Sequence, residues 1–337
     1  MKKSLFFEKL ENQDVRCQTC AHYCVRQAGQ TGICGVRENV DGVMNVSNYG
    51  AIISRAVDPI EKKPFFHFLP CSSSFSIAAP GCNFQCGHCQ NWQISQVKNG
   101  IPCATQEVPP QIIVEDAKKE GCDSIAYTYT EPTIFTEYAL DVMKIAQESE
   151  LKNCWVSNGY MSEQTREAII PYLNAINIDL KAGTDKFYQD TCKAKLQPVL
   201  DNIVALKKAG AWVELTTLII PTLNDSPTEL KKVADFINEV DPAIPWHISR
   251  FSPEISYQMT SLPATATETI EQAAKIGKQV GLKYVYAGNI PGHEAANTYC
   301  PKCQELIIRR TGFTCELPHG KVTTCLKCQT KLDIIWK

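Results

Sequence analysis

The stretch Ser74-Phe75-Ser76-Ile77-Ala78-Ala79-Pro80-Gly81-Cys82-Asn83-Phe84-Gln85-Cys86-Gly87-His88-Cys89-Gln90-Asn91 decides how the rest of the chain is read. Its first residues have strand composition, Pro80-Gly81 ends the strand, and three cysteines follow at x3 and x2 spacing. Downstream, short β-branched and aromatic runs alternate with longer segments of helical period. The runs at 74–79, 124–129, 154–158, 175–181, 213–220, 246–251 and 284–287 predict strands. Between them, 112–120, 133–148, 163–173, 199–209, 227–239 and 267–280 predict helices, and Gly121, Gly210 and Gly281 follow three of these where caps are expected. Such alternation builds a parallel sheet with crossover helices. About six βα units predict an α/β fold of open form, a partial (βα)6-type TIM barrel rather than a closed eight-fold one.

Both ends of the chain lack this alternation. Residues 1–70 read as an N-terminal cysteine-rich module with strand-like runs at 43–46 and 51–57, residues 71–297 as the barrel, and residues 298–337 as a short C-terminal module resembling a zinc ribbon or rubredoxin. A length of 337 residues suits a large domain with smaller attachments. Lys and Arg number 34 against 36 Asp and Glu, so there is no global positive field to hold nucleic acid. No apolar run approaches the roughly 18 residues of a membrane span, and Glu8 and Lys9 interrupt the opening Leu5-Phe6-Phe7 before a signal-peptide core can form. A cytoplasmic protein without membrane or nucleic-acid partners is expected.

Cysteine is the anomaly, at 17 residues. In a reducing compartment, and in a chain long enough to bury its own core, thiolate ligation explains this number better than disulfides do. Eleven fall into sets with ligand spacing: Cys17, Cys20, Cys24 and Cys34; Cys82, Cys86 and Cys89; Cys300, Cys303, Cys325 and Cys328. Cys71, Cys103, Cys122, Cys154, Cys192 and Cys315 read as small buried hydrophobes. The central three follow the first barrel strand, where such folds carry active sites. Three thiolates would hold three irons of a [4Fe–4S] cluster and leave the fourth open to a ligand; a zinc site completed by His88 or Cys71 is the plainer alternative. The two C-terminal C-x2-C knuckles predict a closed structural zinc site, with a rubredoxin-type iron site sharing the same ligands. The N-terminal set could close a zinc site or hold an auxiliary iron–sulfur cluster, with zinc or another structural metal favoured.

The C-x3-C-x2-C loop on a βα pattern resembles the radical SAM superfamily. More narrowly the chain resembles the glycyl-radical-enzyme activases, such as pyruvate formate-lyase activating enzymes, and the AmmeMemoRadiSam-system radical SAM enzymes. The likeness to the latter rests on Asp58-Pro59-Ile60-Glu61-Lys62-Lys63-Pro64, Gly81-Cys82-Asn83-Phe84, Cys89-Gln90-Asn91-Trp92, Thr130-Glu131-Pro132-Thr133 and Gly288-Asn289-Ile290-Pro291-Gly292. It implies S-adenosylmethionine (SAM) bound through its methionyl amine and carboxylate to the open iron, and reductive cleavage to methionine and a 5′-deoxyadenosyl radical. It also implies a one-electron donor such as flavodoxin or ferredoxin. By motif, Glu131 would accept from the SAM amine, and Lys181, paired with Asp179, would meet the SAM carboxylate. Ser157, Asn158, Asn91 and His247 align with further cofactor-contacting segments. His88 stands where the family carries an aromatic residue and could still stack on adenine; Val156 stands where activases carry an aspartate.

Three functions follow. The first is a radical enzyme acting on a protein or peptide, whether a glycyl radical enzyme or a partner of Memo-like proteins. The second is a radical SAM enzyme for a small molecule, and the third a non-catalytic zinc-binding scaffold. The first is favoured by the resemblance, and by two metal-stiffened modules expected to flank the barrel mouth and wall in an extended chain.

Overall fold

Seven parallel strands form the centre of the molecule, which a computed structural model describes over residues 1–97, 107–290 and 294–337. They are β2 (Ser73–Ala78), β3 (Ser124–Tyr127), β4 (Lys152–Ser157), β5 (Ala175–Asp179), β6 (Trp212–Ile219), β7 (Trp246–Arg250) and β8 (Val285–Gly288). An eighth strand, β1 (Ser54–Pro59), pairs antiparallel with β2. Spatial order follows chain order from β1 to β8, so each crossover steps to the adjacent strand, as a partial barrel requires. The crossovers are α1 (Pro110–Lys119), α2 (Thr136–Glu148), α3 (Glu163–Ile169), α4 (Gln197–Lys208), α5 (Pro227–Val240) and α6 (Thr267–Val280). Among the described residues no helix is long and apolar enough to cross a membrane. Cys103 and the Pro291-Gly292 pair of the last motif lie outside the described residues.

Local chemistry explains these elements. In α5, Ser226 caps the N-terminus by accepting from the Glu229 amide at 3.2 Å, and Pro227 occupies the first turn. Leu230, Val233, Ala234 and Ile237 then recur at helical spacing and are buried. At the end of α6, Gly281 takes φ +111°, the left-handed C-cap conformation that suits glycine. The run at 51–57, expected within the N-terminal module, instead contributes β1 to the barrel sheet. A short return through 60–72 suffices because β1 and β2 are antiparallel.

The residues before β1 form two small antiparallel sheets. A fully buried ion pair, Arg37 to Glu137 at 2.6 Å, fastens one of them to α2. The C-terminal strands Thr298–Tyr299, Leu306–Thr311 and Thr314–Glu316 pack under the barrel, not beside its mouth. There the Leu69 amide donates to the Ile335 carbonyl, the Ile335 amide to the His67 carbonyl, and Arg310 to the Phe66 carbonyl, all at 2.8 Å. Ile60, Phe65, Phe68 and Leu69 plug the interior above this contact. Cys71 and Cys315 are not buried hydrophobes: a disulfide joins the plug loop to the C-terminal strands. Cys122 and Cys154 are buried in the core, as their composition predicts.

Candidate active site

In a parallel barrel, residues two apart on a strand share the interior face and differ only in height. Glu214, Thr216 and Leu218 form such a column on β6, as do His247 and Ser249 on β7. The register pairs Thr216 with Asp179 and with His247. Above the lower layer lies a cavity of about 310 Å³ at the C-terminal ends of the strands. Thr216, Leu218, Ser249 and Asp179 line it, and so do Cys82, Cys86 and Cys89.

The cysteine loop is fixed from both sides. Gly81 turns at φ +102°, and a Cβ there would stand 2.9 Å from the Cys34 carbonyl oxygen, so the loop packs hard against the N-terminal residues. On the other side, the Gln85 and Gly87 amides donate to the carbonyls of Cys192 and Thr191 at 3.0 and 3.3 Å. Among the described residues, the three loop sulfurs do not gather within 4.8 Å of one another, although they share one cavity. A single zinc with bonds of about 2.3 Å would hold all three roughly 3.8 Å apart, closer than they gather here. The C-terminal four behave oppositely: Cys300 and Cys328 sulfurs stand 3.5 Å apart and those of Cys303 and Cys325 3.6 Å, as one ion requires.

Glu131 is buried and lines the cavity, where it caps the turn Pro132–Phe135. It accepts from the Thr133 amide at 3.0 Å, the Thr133 hydroxyl at 2.6 Å, the Ser157 hydroxyl at 2.8 Å and the Asn158 amide at 2.8 Å. Burial nevertheless raises its carboxyl above the ordinary value. Lys181 reaches Asp179 at 2.8 Å beside the cysteines. Burial works against its charge, but the Asp179 carboxylate and negative charge on the neighbouring sulfur of Cys86 outweigh it and hold the ammonium well above its usual pKa. Asn158 donates to Asn83 at 2.7 Å, and Asn91 to the Tyr129 carbonyl at 2.8 Å. His88 is buried, with Nδ1 lacking any partner. The residue lines the cavity, and a ring nitrogen lies within 4.8 Å of the Cys86 and Cys192 sulfurs.

His247 does not reach this cavity. It sits one interior layer lower, 2.7 Å from Glu214 and edge-on to Phe66. Its register partner is Thr216, but its ring turns down to Glu214 two places earlier on that strand, whereas Ser249 lines the cavity. Cys71, an alternative zinc ligand, lies at the opposite end in its disulfide.

Three features escaped the sequence reading. Cys192, placed among core cysteines, has its sulfur within 4.8 Å of Cys86 and His88 ligand atoms. It closes a π-helical turn, Tyr188–Cys192, a local irregularity that composition does not announce. Lys62 and Lys63 also line the cavity, both 2.7 Å from Asp58, which accepts from Tyr129 as well. Burial pushes the Lys63 ammonium down to about 8, and its partners hold Asp58 well below the carboxylate range. The run Asp58 to Pro64 carried a resemblance but no role, because nothing in it says that its lysines reach up from the plug loop.

Comparison with known proteins agrees with this architecture. The family model described as "Radical SAM superfamily" matches residues 76–237, from β2 into α5. The uncharacterized protein MJ0808 of Methanocaldococcus jannaschii is 44% identical over 99% of this chain and 100% of its own length. The pyruvate formate-lyase-activating enzyme of Clostridium pasteurianum is 20% identical over 59% of this chain and 88% of its own. Among solved structures, a radical SAM methyltransferase from Sphaerobacter thermophilus superposes with a TM-score of 0.51 at 15% identity, covering 71% of each chain. A relative 44% identical over its full length, a family model covering β2 to β6 and the shared fold lead to one conclusion: the chain is an enzyme of the radical SAM superfamily.

Proposed function

We infer that Cys82, Cys86 and Cys89 hold the [4Fe–4S] cluster at which this enzyme reductively cleaves SAM. The observation that carries the reading is their convergence, with Lys181, Glu131 and Asn158, on one cavity at the C-terminal ends of the strands. Bound there, the cluster supplies the electron that breaks the SAM sulfonium and yields methionine and a 5′-deoxyadenosyl radical. The chain supplies position and charge. Lys181 presents an ammonium to the SAM carboxylate. Glu131, whose carboxylate already accepts from Thr133, Ser157 and Asn158, would meet the amine by exchanging one of these donors for it. The His88 ring, which lines the cavity, would stack on the adenine. The plug beneath the cavity keeps water from entering through the barrel.

The substrate we propose is a protein or peptide segment. Support comes from relatives named as activating enzymes of other enzymes: that of pyruvate formate-lyase, and those of 4-hydroxyphenylacetate decarboxylase and (2S)-3-sulfopropanediol dehydratase. The C-terminal module contributes nothing to this argument, since it packs at the closed end. Zinc is the proposed occupant of Cys300, Cys303, Cys325 and Cys328, given their spacing.

The test is anaerobic incubation with SAM and dithionite. Wild type should release 5′-deoxyadenosine, and Cys82→Ala/Cys86→Ala/Cys89→Ala should release none. Release surviving in the triple variant would sink the assignment. With deuterated candidates, label carried into 5′-deoxyadenosine from a protein partner supports the substrate class, and label only from a small metabolite overturns it.

A further inference from the structure

Lys62 and Lys63 line the catalytic cavity, and nothing in SAM binding or cleavage uses them. Between them lies one carboxylate, Asp58, which is 4% exposed. Its Oδ1 accepts from Lys62 and its Oδ2 from Lys63, each at 2.7 Å. Two ammoniums share a single negative charge, so the group carries a positive charge in surplus.

The two lysines are unequal. The Lys63 side chain is 2% exposed, and its ammonium stands 4.0 Å from the centre of the Tyr129 ring. A cation so far from water needs the Asp58 charge. The Lys62 side chain is 43% exposed, and folding makes no such demand of it, because an open ion pair four residues apart contributes little. Its charge even works against its neighbour. Burial first, and then Lys62, push the Lys63 ammonium down to about 8, with Asp58 opposing both.

The pairing is held in place from the catalytic side. Asp58 also accepts from the Tyr129 hydroxyl, and Tyr129 takes φ +65°, a left-handed conformation that a bulky residue adopts only where its surroundings impose it. The carbonyl of the same residue accepts from Asn91, two places beyond Cys89, at 2.8 Å. One strained turn thus ties the surplus cation to the cysteine loop.

SAM does not consume this charge. Its amine is assigned to Glu131 and its carboxylate to Lys181, and its sulfonium is itself positive. The remaining source of a counter-charge is the substrate. A carboxylate balances one surplus charge, whereas a phosphate dianion would leave the buried group negative.

We propose that Lys62 binds a carboxylate of the substrate peptide, with Lys63, Asp58 and Tyr129 as positioning residues. The inference rests on the peptide reading above and adds that the segment entering the cavity is acidic there, through an Asp or Glu side chain or through its C-terminus.

The experiment offers the anaerobically reconstituted, SAM-loaded full chain two randomised peptide libraries, one amidated at the C-terminus and one not, and sequences the peptides retained. If a side chain is bound, wild type should enrich Asp and Glu at one position of the amidated library. If the terminus is bound, it should favour the library with free C-termini. Either preference should be about ten-fold or more, the worth of one charged hydrogen bond. Lys62→Gln should abolish it with thermal stability unchanged, and Lys62→Arg should keep it. Lys63→Gln leaves Asp58 to neutralise Lys62 alone and should weaken the same preference in the folded protein; an unmoved preference there overturns its positioning role. Retained peptides that show neither preference, or a preference that Lys62→Gln leaves intact, overturn the proposal and leave the peptide reading standing. Failure of that reading looks different: neither library is retained, and deuterium reaches 5′-deoxyadenosine only from a small metabolite, which overturns both.

Discussion

Two residues along one strand separate Glu214 from Thr216, and two along the next separate His247 from Ser249, yet the layers they belong to handle charge in opposite ways. In the lower layer the Glu214 carboxylate, fully buried, accepts from the Phe66 and His67 amides at 2.9 Å, Trp212 at 3.0 Å and His247 at 2.7 Å. Burial would raise its pKa, but the His247 hydrogen bond and charge and the other donors win and hold it below the ordinary value. All its capacity is used inside the protein. In the upper layer the Lys181 to Asp179 pair borders open space beside three thiols. Charge satisfied internally stabilises the fold, and charge facing a cavity remains available to a ligand.

The sharpest way to break this contrast is Glu214→Ala. Truncation leaves two amides, an indole and an imidazole without their acceptor, and removing one member of a buried, hydrogen-bonded pair costs about 3 to 5 kcal/mol. Urea denaturation should show that loss, while calorimetry on the folded variant should find SAM affinity unchanged. A large drop in affinity with little loss of stability would mean that the lower layer also serves the ligand.

Lys181→Ala is the opposite case and a smaller one. Loss of a charged hydrogen bond to the SAM carboxylate should weaken binding by about 1.5 to 3 kcal/mol, or roughly ten- to a hundred-fold. Stability should move much less than in Glu214→Ala, because Asp179 is 39% exposed at its side chain and can turn to water. Lys181→Arg should recover part of the affinity. Equal affinities for Lys181→Ala and wild type would remove this lysine from the site.

The contrast also marks what a sequence can disclose. The βα alternation is local, written in period and composition, and each of the seven expected parallel strands lies within a few residues of its expected bounds. Cys82, Cys86 and Cys89 were legible because their spacing is itself the signal. Height inside a barrel is not written in this way. His247 and Ser249 differ by two places on one strand and pair in register with Thr216 and Leu218, which both line the cavity; only the long-range bond of His247 to Glu214 says which of them turns away from it. Long-range partnership was equally hidden. The disulfide joining Cys71 to Cys315 spans 244 residues, and Cys192 approaches Cys86 only because a π turn delivers it. The Asp58, Lys62 and Lys63 group was visible as a motif, but its place depends on an antiparallel return under the barrel.

The finest test concerns how well the lower layer is sealed, and His67 reports it through pH. Its Nδ1 faces the Asp333 carbonyl at 2.6 Å, which can only accept, so Nδ1 carries the proton and Nε2 accepts from the Tyr286 hydroxyl. The ring is therefore held neutral. Burial drives its pKa from an ordinary value near 6.5 down to about 4; Arg310 and His247 reinforce the shift, and Glu214 and the Asp333 carbonyl oppose it. Because the folded pKa lies below the unfolded one, the unfolded chain takes up a proton first as pH falls. The stability from this residue is thus present above pH 6.5 and is lost progressively toward pH 4. For one such group, the loss between pH 7.5 and 5.5 is about 1.4 kcal/mol. Glu214, held below its ordinary value, loses its contribution only at lower pH, so the two windows separate. Comparing urea denaturation of wild type and His67→Gln at both pH values cancels every other titrating group. The stability gap between them should narrow by about 1.4 kcal/mol on acidification. Parallel curves would show that the imidazole protonates freely in the folded state, and that the layer beneath the cavity admits water.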